Sequence, residues 1–150
     1  MSKQILFATN YSKLSAEALR VATQLAKVEH ARLIIAHVSE LEQYPVGEPC
    51  HSQPAPDENE LEALQKVVPT DADVPFEHQL LYGEPGSTEV TKPAAALIKF
   101  AKNHHVDMIV AATHGRRGLA HLLMGDVAED LIREAPCPVV AVRHAVESET

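Results

Sequence analysis

Short apolar runs that alternate with helical repeats constrain this chain more than any other feature of its sequence. Five runs have the length and apolar content of buried strands, at residues 5–9, 32–38, 74–81, 108–112 and 139–142. Between them, apolar residues recur at a spacing of three or four, as they do on one face of a helix. This order predicts an open α/β fold, in which a parallel sheet carries helices on both faces and right-handed crossovers connect the strands.

The predicted helices bury one face each. Ser12 or Ser15 can cap the first helix, and the second is expected over residues 57–68. Pro136 and Pro138 end the last helix because proline cannot continue a helical hydrogen-bond pattern. The apolar positions of the four helices are, in chain order, Leu14, Ala18, Val21, Ala22 and Leu25; Leu61, Leu64 and Val68; Ala94, Leu97, Ile98 and Ala101; and Ala128, Leu131, Ile132 and Ala135.

One segment breaks the alternation. Residues 39–56 contain Pro45, Gly47, Pro49, Pro54 and Pro56 among scattered acids, which indicates a long surface loop inserted into the domain. Such a loop is either a lid over a site or an insertion without fixed structure. The whole chain of 150 residues has the length of a single domain.

Charge and cysteine content exclude several classes of protein. The formal net charge of −8 opposes the phosphate backbone, so we expect no nucleic acid partner. Cys50 and Cys137 are too few for a disulfide framework, no secretory signal opens the chain, and no apolar run is long enough to span a membrane. We therefore predict a cytoplasmic protein without membrane contact.

Two strand ends carry residues suited to a ligand. In an open α/β sheet, ligands bind outside the carboxyl ends of the strands, where strand order reverses and helix N-termini point. The first such end is residues 8–10, and the second is residues 112–118 with Gly125 and Asp126. Glycines allow a backbone to approach a phosphate closely. The glycines Gly115, Gly118 and Gly125 therefore indicate either a phosphate-binding loop or an ordinary tight turn between strand and helix. Arg116 and Arg117 would add positive charge to a phosphate site or, in the second case, lie in solvent.

The chain resembles the universal stress protein family over nearly its whole length. The segment 112–143, ATHGRRGLAHLLMGDVAEDLIREAPCPVVAVR, resembles the carboxyl-terminal signature of that family. The family pattern of Gly, two residues, Gly, nine residues, Gly and Ser or Thr falls on Ala112, Gly115, Gly125 and Asp126. The opening ILFATNYSKLSAEAL and the pair FEHQLLYGEP and DMIVAATHG are similar to the first strand and helix and to the middle of family members.

The resemblance implies a Rossmann-like sheet in the order 3-2-1-4-5 and a homodimer formed through the last strand, Val139–Arg143. It also implies that ATP or a related adenine nucleotide, with Mg²⁺ as an optional partner, binds across the ends of strands one and four. The positions that the resemblance and the strand ends assign to the ligand are Ala8, Thr9, Asn10, Val38, Ala112, His114, Gly115, Arg116, Arg117, Gly118, Gly125, Asp126, Val127 and Ala128.

Three of these positions depart from the nucleotide-binding branch of the family. Asn10 replaces an Asp, Ala112 replaces a Gly, and Asp126 replaces a Ser or Thr. The carboxylate of Asp126 would repel phosphate oxygens unless Arg116, Arg117 or Mg²⁺ compensates, although Asp is also a strong helix N-cap. The alternative function is therefore a dimeric interaction module of the same fold that does not bind a nucleotide.

Catalytic and metal-binding patterns are weak in this sequence. No Ser/His/Asp grouping and no Gly-Lys-Ser/Thr motif is legible, so at most a slow hydrolysis of bound ATP is expected. The adjacent pairs Cys50-His51 and His104-His105 do not place two ligands on one helical face, and we predict no metal site.

Overall fold

The structure, a computed structural model, describes residues 3–39, 58–81, 93–113 and 127–143. Five strands and four helices lie within these ranges. In chain order they are β1 (Lys3–Ala8), α1 (Lys13–Glu29), β2 (Ala31–Val38), α2 (Glu58–Gln65), β3 (Phe76–Leu81), α3 (Pro93–His104), β4 (Met108–Thr113), α4 (Val127–Glu134) and β5 (Val139–Arg143).

The strands form one sheet in the order β3-β2-β1-β4-β5, and every neighbouring pair is parallel. This confirms both the predicted α/β fold class and the strand order that the family resemblance implied. Successive strands add on one side of β1 as far as β3, and β4 then returns to the other side. The order therefore reverses between β1 and β4, which is where an open α/β sheet leaves a crevice.

Helices cover both faces of the sheet and bury two apolar clusters. On one face, α1 and Leu64 of α2 pack against the odd-numbered residues of β1 and β2, such as Phe7 and Leu33. On the other face, α3 and α4 pack against the even-numbered residues of the same two strands, such as Leu6 and Ile34. This division follows from the two-residue period of a strand, which sends successive side chains to opposite faces. Strands that are apolar at every position are therefore buried on both sides.

The ends of α1 are capped by different means. Ser12 is the N-cap, and its Oγ accepts a bond of 3.1 Å from the Ser15 N–H. Of the two predicted caps, Ser12 is thus the correct one, whereas Ser15 lies buried within the first turn. At the other end His30 adopts the left-handed conformation, with φ 54°, and its N–H bonds to the carbonyls of Ala26 and Lys27.

Three details of the predicted elements were wrong. The second helix ends at Gln65, because the next two N–H groups bond only three residues back and Pro69 follows; Val68 therefore lies outside it and is exposed. Ile132 is 60% exposed, because Ala128 and Leu131 fill the buried face of α4.

The third strand also begins later than predicted, at Phe76 instead of residue 74. The N–H of Val74 is held in a turn by the carbonyl of Asp71 at 3.3 Å, so the ladder with β2 starts only at the Pro75 carbonyl. Val74 is nevertheless buried in the same cluster as α1.

In the described part of the chain, no helix has both the length and the apolar content needed to cross a membrane. Of the predicted loop insertion, only Ser39 belongs to the described residues. The choice between a lid and an insertion without fixed structure therefore stays a prediction, as does the single domain over residues 1–150.

Candidate functional site

The carboxyl edge of the sheet brings together the site residues predicted at three strand ends. Ala8 pairs with Ala36 of β2 on one side and with Ala111 of β4 on the other. Residues 9 and 10, Val38 and Ala112 therefore lie at the same edge, one or two positions beyond this row. This edge includes the point between β1 and β4 where the strand order reverses.

Small side chains line the face of the sheet below this edge. Four alanines stand in register across β2, β1, β4 and β5, and all lie in the cluster that packs against α3 and α4; they are Ala36, Ala8, Ala111 and Ala141. The first residues of α4, Val127 and Ala128, pack into the same cluster. The start of α4, with its N–H groups and positive dipole end, therefore lies beside the carboxyl edge.

Thr9 follows β1, and its N–H, its carbonyl and its Oγ1 each have a hydrogen-bond partner. Its N–H donates to the Ala36 carbonyl at 2.9 Å, and its carbonyl accepts a bond from Nδ1 of His37 at 2.8 Å. Its Oγ1 accepts the Tyr11 N–H at 3.0 Å. Thr9 is buried, so this polar residue is satisfied by protein partners alone.

Asn10 uses its side-chain oxygen to hold the start of α1. Its Oδ1 accepts bonds from the Ser15 hydroxyl at 2.6 Å and from the Ser12 N–H at 3.0 Å, while its own N–H donates to the Ser15 Oγ. No described residue accepts a bond from the Asn10 Nδ2, which is exposed at the edge. The amide can therefore offer a donor to a ligand without releasing the helix.

A polar aromatic cluster, formed by Tyr11, His37, Ser39 and Glu60, closes the β2 side of the edge. The rings of Tyr11 and His37 have centroids 4.5 Å apart. Ser39 Oγ donates to the Glu60 carboxylate at 2.8 Å, and the other Glu60 oxygen lies 3.9 Å from His37 Nε2. The side chains of His37 and Glu60 are only 14% and 16% exposed. Tyr11 is 41% exposed, and the partial burial of its ring, with the charge of Glu60 second, raises the pKa of the phenol to about 12.

Sequence reasoning missed this cluster. His37 was visible only as a polar residue within an apolar strand, next to Val38, and Tyr11 only as a turn residue after Asn10. Glu60 gave no signal, because the packing of α2 beside the end of β2 brings it to the site across 21 residues from Ser39. Tertiary structure, not local pattern, assembles these side chains.

The predicted phosphate loop lies outside the described residues. This applies to seven of the predicted positions, namely His114, Gly115, Arg116, Arg117, Gly118, Gly125 and Asp126. The other predicted positions, from β1, β2, β4 and α4, converge on the carboxyl edge as described above. Within the described ranges, no three His, Cys, Asp or Glu side chains come close enough together to hold a metal ion.

Comparison with known proteins identifies the family. The model of the universal stress protein family matches residues 1–143 of this chain. This chain belongs to the universal stress protein family. Among curated members, Universal stress protein MJ0531 of Methanocaldococcus jannaschii is 32% identical over 149 residues, which covers 94% of this chain and 82% of that protein. A universal stress protein of Thermus aquaticus is 31% identical over 146 residues and covers 95% of this chain and 100% of that protein.

Solved structures of universal stress proteins share the fold. One was determined in complex with cAMP; it superposes with a TM-score of 0.67 at 20% identity and covers 96% of this chain and 98% of its own. A second, from Archaeoglobus fulgidus, was determined in complex with dAMP; its TM-score is 0.60 at 18% identity, with 95% and 98% covered. At such identities the likeness establishes the fold of this universal stress protein.

Proposed function

We propose that this universal stress protein binds an adenine nucleotide at the carboxyl edge between β1 and β4 and acts as a homodimeric stress-response sensor in the cytoplasm. One observation carries the proposal: the N–H and C=O of Val38 stand at this edge without their strand partners among the described residues. Two related proteins bind cAMP and dAMP, both of which carry the adenine base.

The backbone of Val38 has the hydrogen-bond pattern that adenine requires. Its N–H can donate to the ring nitrogen N1, and its carbonyl can accept from the exocyclic amino group. Guanine presents an oxygen at the amino position and an N–H at N1, so both contacts would become repulsive. A site that relies on buried hydrogen bonds rejects a mismatched partner strongly, because its polar groups are then left unpaired.

The remaining parts of a nucleotide suit the neighbouring groups. The Asn10 amide can donate to a ribose hydroxyl, and the start of α4 favours an anion. For the phosphates, the proposal relies on the sequence of residues 112–127, in which Gly115 and Gly125 would allow close approach. Asp126 belongs to the same sequence segment and would require Arg116, Arg117 or Mg²⁺ beside a triphosphate.

The non-binding alternative rests on Asn10. Its Oδ1 is fully occupied by Ser12 and Ser15, so the residue has a structural reason to be present without any ligand. Substitution of Asp126 separates the two functions. If the site is degenerate, Asp126→Ser restores ATP binding to a protein that binds none; if it works already, AMP binds to the unchanged protein.

Isothermal titration calorimetry with AMP, cAMP, ATP and GMP, each with and without Mg²⁺, tests the proposal. We expect the adenine nucleotides to bind and GMP to bind at least about ten-fold more weakly, the equivalent of about 1.4 kcal/mol. The double variant Gly115→Asp with Gly125→Asp should lose binding while its circular dichroism spectrum stays unchanged. Equal affinity for AMP and GMP, or no binding of any of them, contradicts the proposal.

A further inference from the structure

The ladder of backbone hydrogen bonds between β1 and β2 ends before it reaches Val38, the last residue of β2. Its last bond runs from the Thr9 N–H to the Ala36 carbonyl. In a parallel ladder, alternate residues face the same neighbour, so Val38 faces β1 as Ala36 does, while Ser39 faces β3 and bonds to the Leu81 carbonyl. The next two bonds would join Val38 N–H to the Thr9 carbonyl and Tyr11 N–H to the Val38 carbonyl. Neither bond forms in the described chain.

Two side chains take the places of the missing backbone bonds. Nδ1 of His37 donates to the Thr9 carbonyl at 2.8 Å, and Oγ1 of Thr9 accepts the Tyr11 N–H at 3.0 Å. Because a carbonyl oxygen carries no proton, Nδ1 must hold the hydrogen in this contact. The Thr9 carbonyl and the Tyr11 N–H, which follow β1 and would have extended the ladder to Val38, are thereby satisfied within the protein.

The His37 ring is held in the orientation that this substitution requires. The ring of Tyr11 packs against it, and Tyr11 reaches that position through a left-handed turn with φ 64°. Glu60 lies on the opposite nitrogen, with Oε1 3.9 Å from Nε2. A further titratable side chain on this face, His78, lies two positions away in register and bonds to the Val67 carbonyl instead.

We propose that His37 and Thr9 are positioning residues that terminate the β1–β2 ladder and so keep the N–H and C=O of Val38 available to a ligand. The ligand named here, an adenine nucleotide, rests on the proposed function; the termination of the ladder does not. Without these two side chains, the Thr9 carbonyl and the Tyr11 N–H would turn to Val38 and close the edge. The N–H and C=O of Val38 are therefore kept available at the carboxyl edge by side chains that need not touch the ligand.

Amide hydrogen exchange measured by NMR on the free protein tests the termination itself. In the unchanged protein we expect the Val38 amide to exchange on the order of ten-fold faster or more than that of Ala36, which lies in the intact ladder. His37→Phe keeps a ring against Tyr11 but has no donor, so the Val38 amide should become protected. His37→Asn is the matched control, because its amide nitrogen can occupy the place of Nδ1; it should exchange like the unchanged protein.

Thr9 provides a second, independent pair of variants in case His37→Phe does not fold. Thr9→Val keeps the shape but removes Oγ1, which releases the Tyr11 N–H to the Val38 carbonyl, whereas Thr9→Ser keeps the acceptor. Calorimetry with AMP should show about a ten-fold loss of affinity for Thr9→Val and His37→Phe, and less than about three-fold for Thr9→Ser and His37→Asn.

The outcomes separate the two proposals. If the unchanged protein does not bind AMP, the proposed function fails, and the exchange of the Val38 amide still decides whether His37 and Thr9 terminate the ladder. The positioning proposal is overturned if the Val38 amide is already protected in the unchanged protein. It is also overturned if His37→Phe and Thr9→Val leave both the exchange of that amide and the affinity for AMP unchanged.

Discussion

At the scale of single residues, the side chains of the candidate site make hydrogen bonds that hold the local fold. Asn10 connects the end of β1 to the first turn of α1 through Ser12 and Ser15. The His37 ring donates to the Thr9 carbonyl, and Oγ1 of Thr9 accepts the Tyr11 N–H. The same residues therefore set the shape of the carboxyl edge, whichever ligand occupies it.

Replacement of Asn10 tests its structural role. Asn10→Ala removes the acceptor for the Ser15 hydroxyl and the Ser12 N–H, and we expect it to lower the free energy of unfolding by about 1–2 kcal/mol. Asn10→Asp keeps both acceptor positions and should change stability by less than about 0.5 kcal/mol. Urea denaturation measures both. If Asn10→Ala leaves the free energy of unfolding unchanged, these bonds do not hold α1.

Titration of Tyr11 tests the partial burial of its ring beside Glu60. Its pKa is raised to about 12, so one of the three tyrosines should ionise well above pH 10 in an absorbance titration, and Tyr11→Phe should remove that component. The unfolded tyrosine loses its proton near pH 10 and the folded one does not, so the contribution of Tyr11 is fully present below pH 10 and is lost between about pH 10 and 12.

The difference between the unchanged protein and Tyr11→Phe isolates this effect, because the pKa values of Lys3 and Lys27 are also raised by their ion pairs with Glu29 and Asp71. Identical stability profiles for the two proteins above pH 10 would place Tyr11 in water, away from Glu60.

At the scale of secondary-structure elements, two helices are each followed by a histidine at the position where glycine is the usual residue. His30 after α1 and His105 after α3 both have φ 54°. After α3, the Val106 N–H bonds back to the Ala101 carbonyl, which closes the last turn. A residue with a Cβ is strained in the left-handed conformation by roughly 1–2 kcal/mol.

Adjacent histidines provide a matched test of that strain. His105→Gly should raise the free energy of unfolding by about 0.5–1 kcal/mol, since the relief of strain exceeds the added entropy of the unfolded chain. His104→Gly should lower it by about 1 kcal/mol or more, because His104 is the last residue of α3 and its ring stacks on Phe100 at 4.1 Å. Opposite signs for two neighbouring substitutions are the expected result of thermal or urea unfolding; equal signs contradict it.

The elements that could be predicted from sequence are those whose apolar pattern is complete. The strands predicted at residues 5–9 and 108–112 are apolar at every position except Thr9, and the structure buries their apolar residues on both faces. The end of the second helix and the exposure of Ile132 could not be predicted, because a tight last turn and the packing of Ala128 and Leu131 decide them. Likewise, the residues at the strand ends were enough to predict that the site lies at the carboxyl edge of the sheet. The contact between His37 and Glu60 could not be predicted, because it depends on where α2 packs.

At the scale of the whole molecule, the edge strand β5 offers a surface for a second copy. Ile109 N–H bonds to the Pro138 carbonyl, so within β5 the N–H of Val140 faces β4 and the N–H of Ala141 faces away from the sheet. An outward row of backbone groups on an edge strand is a template for pairing with another strand. This arrangement supports the proposed homodimer.

Proline at position 141 tests the dimer with little risk to the fold. Ala141→Pro removes an outward N–H and leaves the ladder with β4 intact, as edge strands tolerate. Analytical ultracentrifugation should give about twice the chain mass of 16.3 kDa for the unchanged protein and the single mass for the variant. The denaturation midpoint of the variant, measured at low protein concentration, serves as its control. A variant that remains dimeric, or an unchanged protein that is monomeric, contradicts assembly through β5.

The most direct test of the central claim is an NMR titration of the labelled protein with AMP. We expect chemical-shift changes at the amides of Val38, Val127 and Ala128, which lie at the carboxyl edge. The amides of Gln4 and Asp107, at the opposite edge, should not move; the Gln4 N–H donates to the Asp107 carboxylate there at 2.8 Å. Saturable shifts at the carboxyl edge alone would support a nucleotide site between β1 and β4. No shifts, or shifts centred on Gln4 and Asp107, would contradict it.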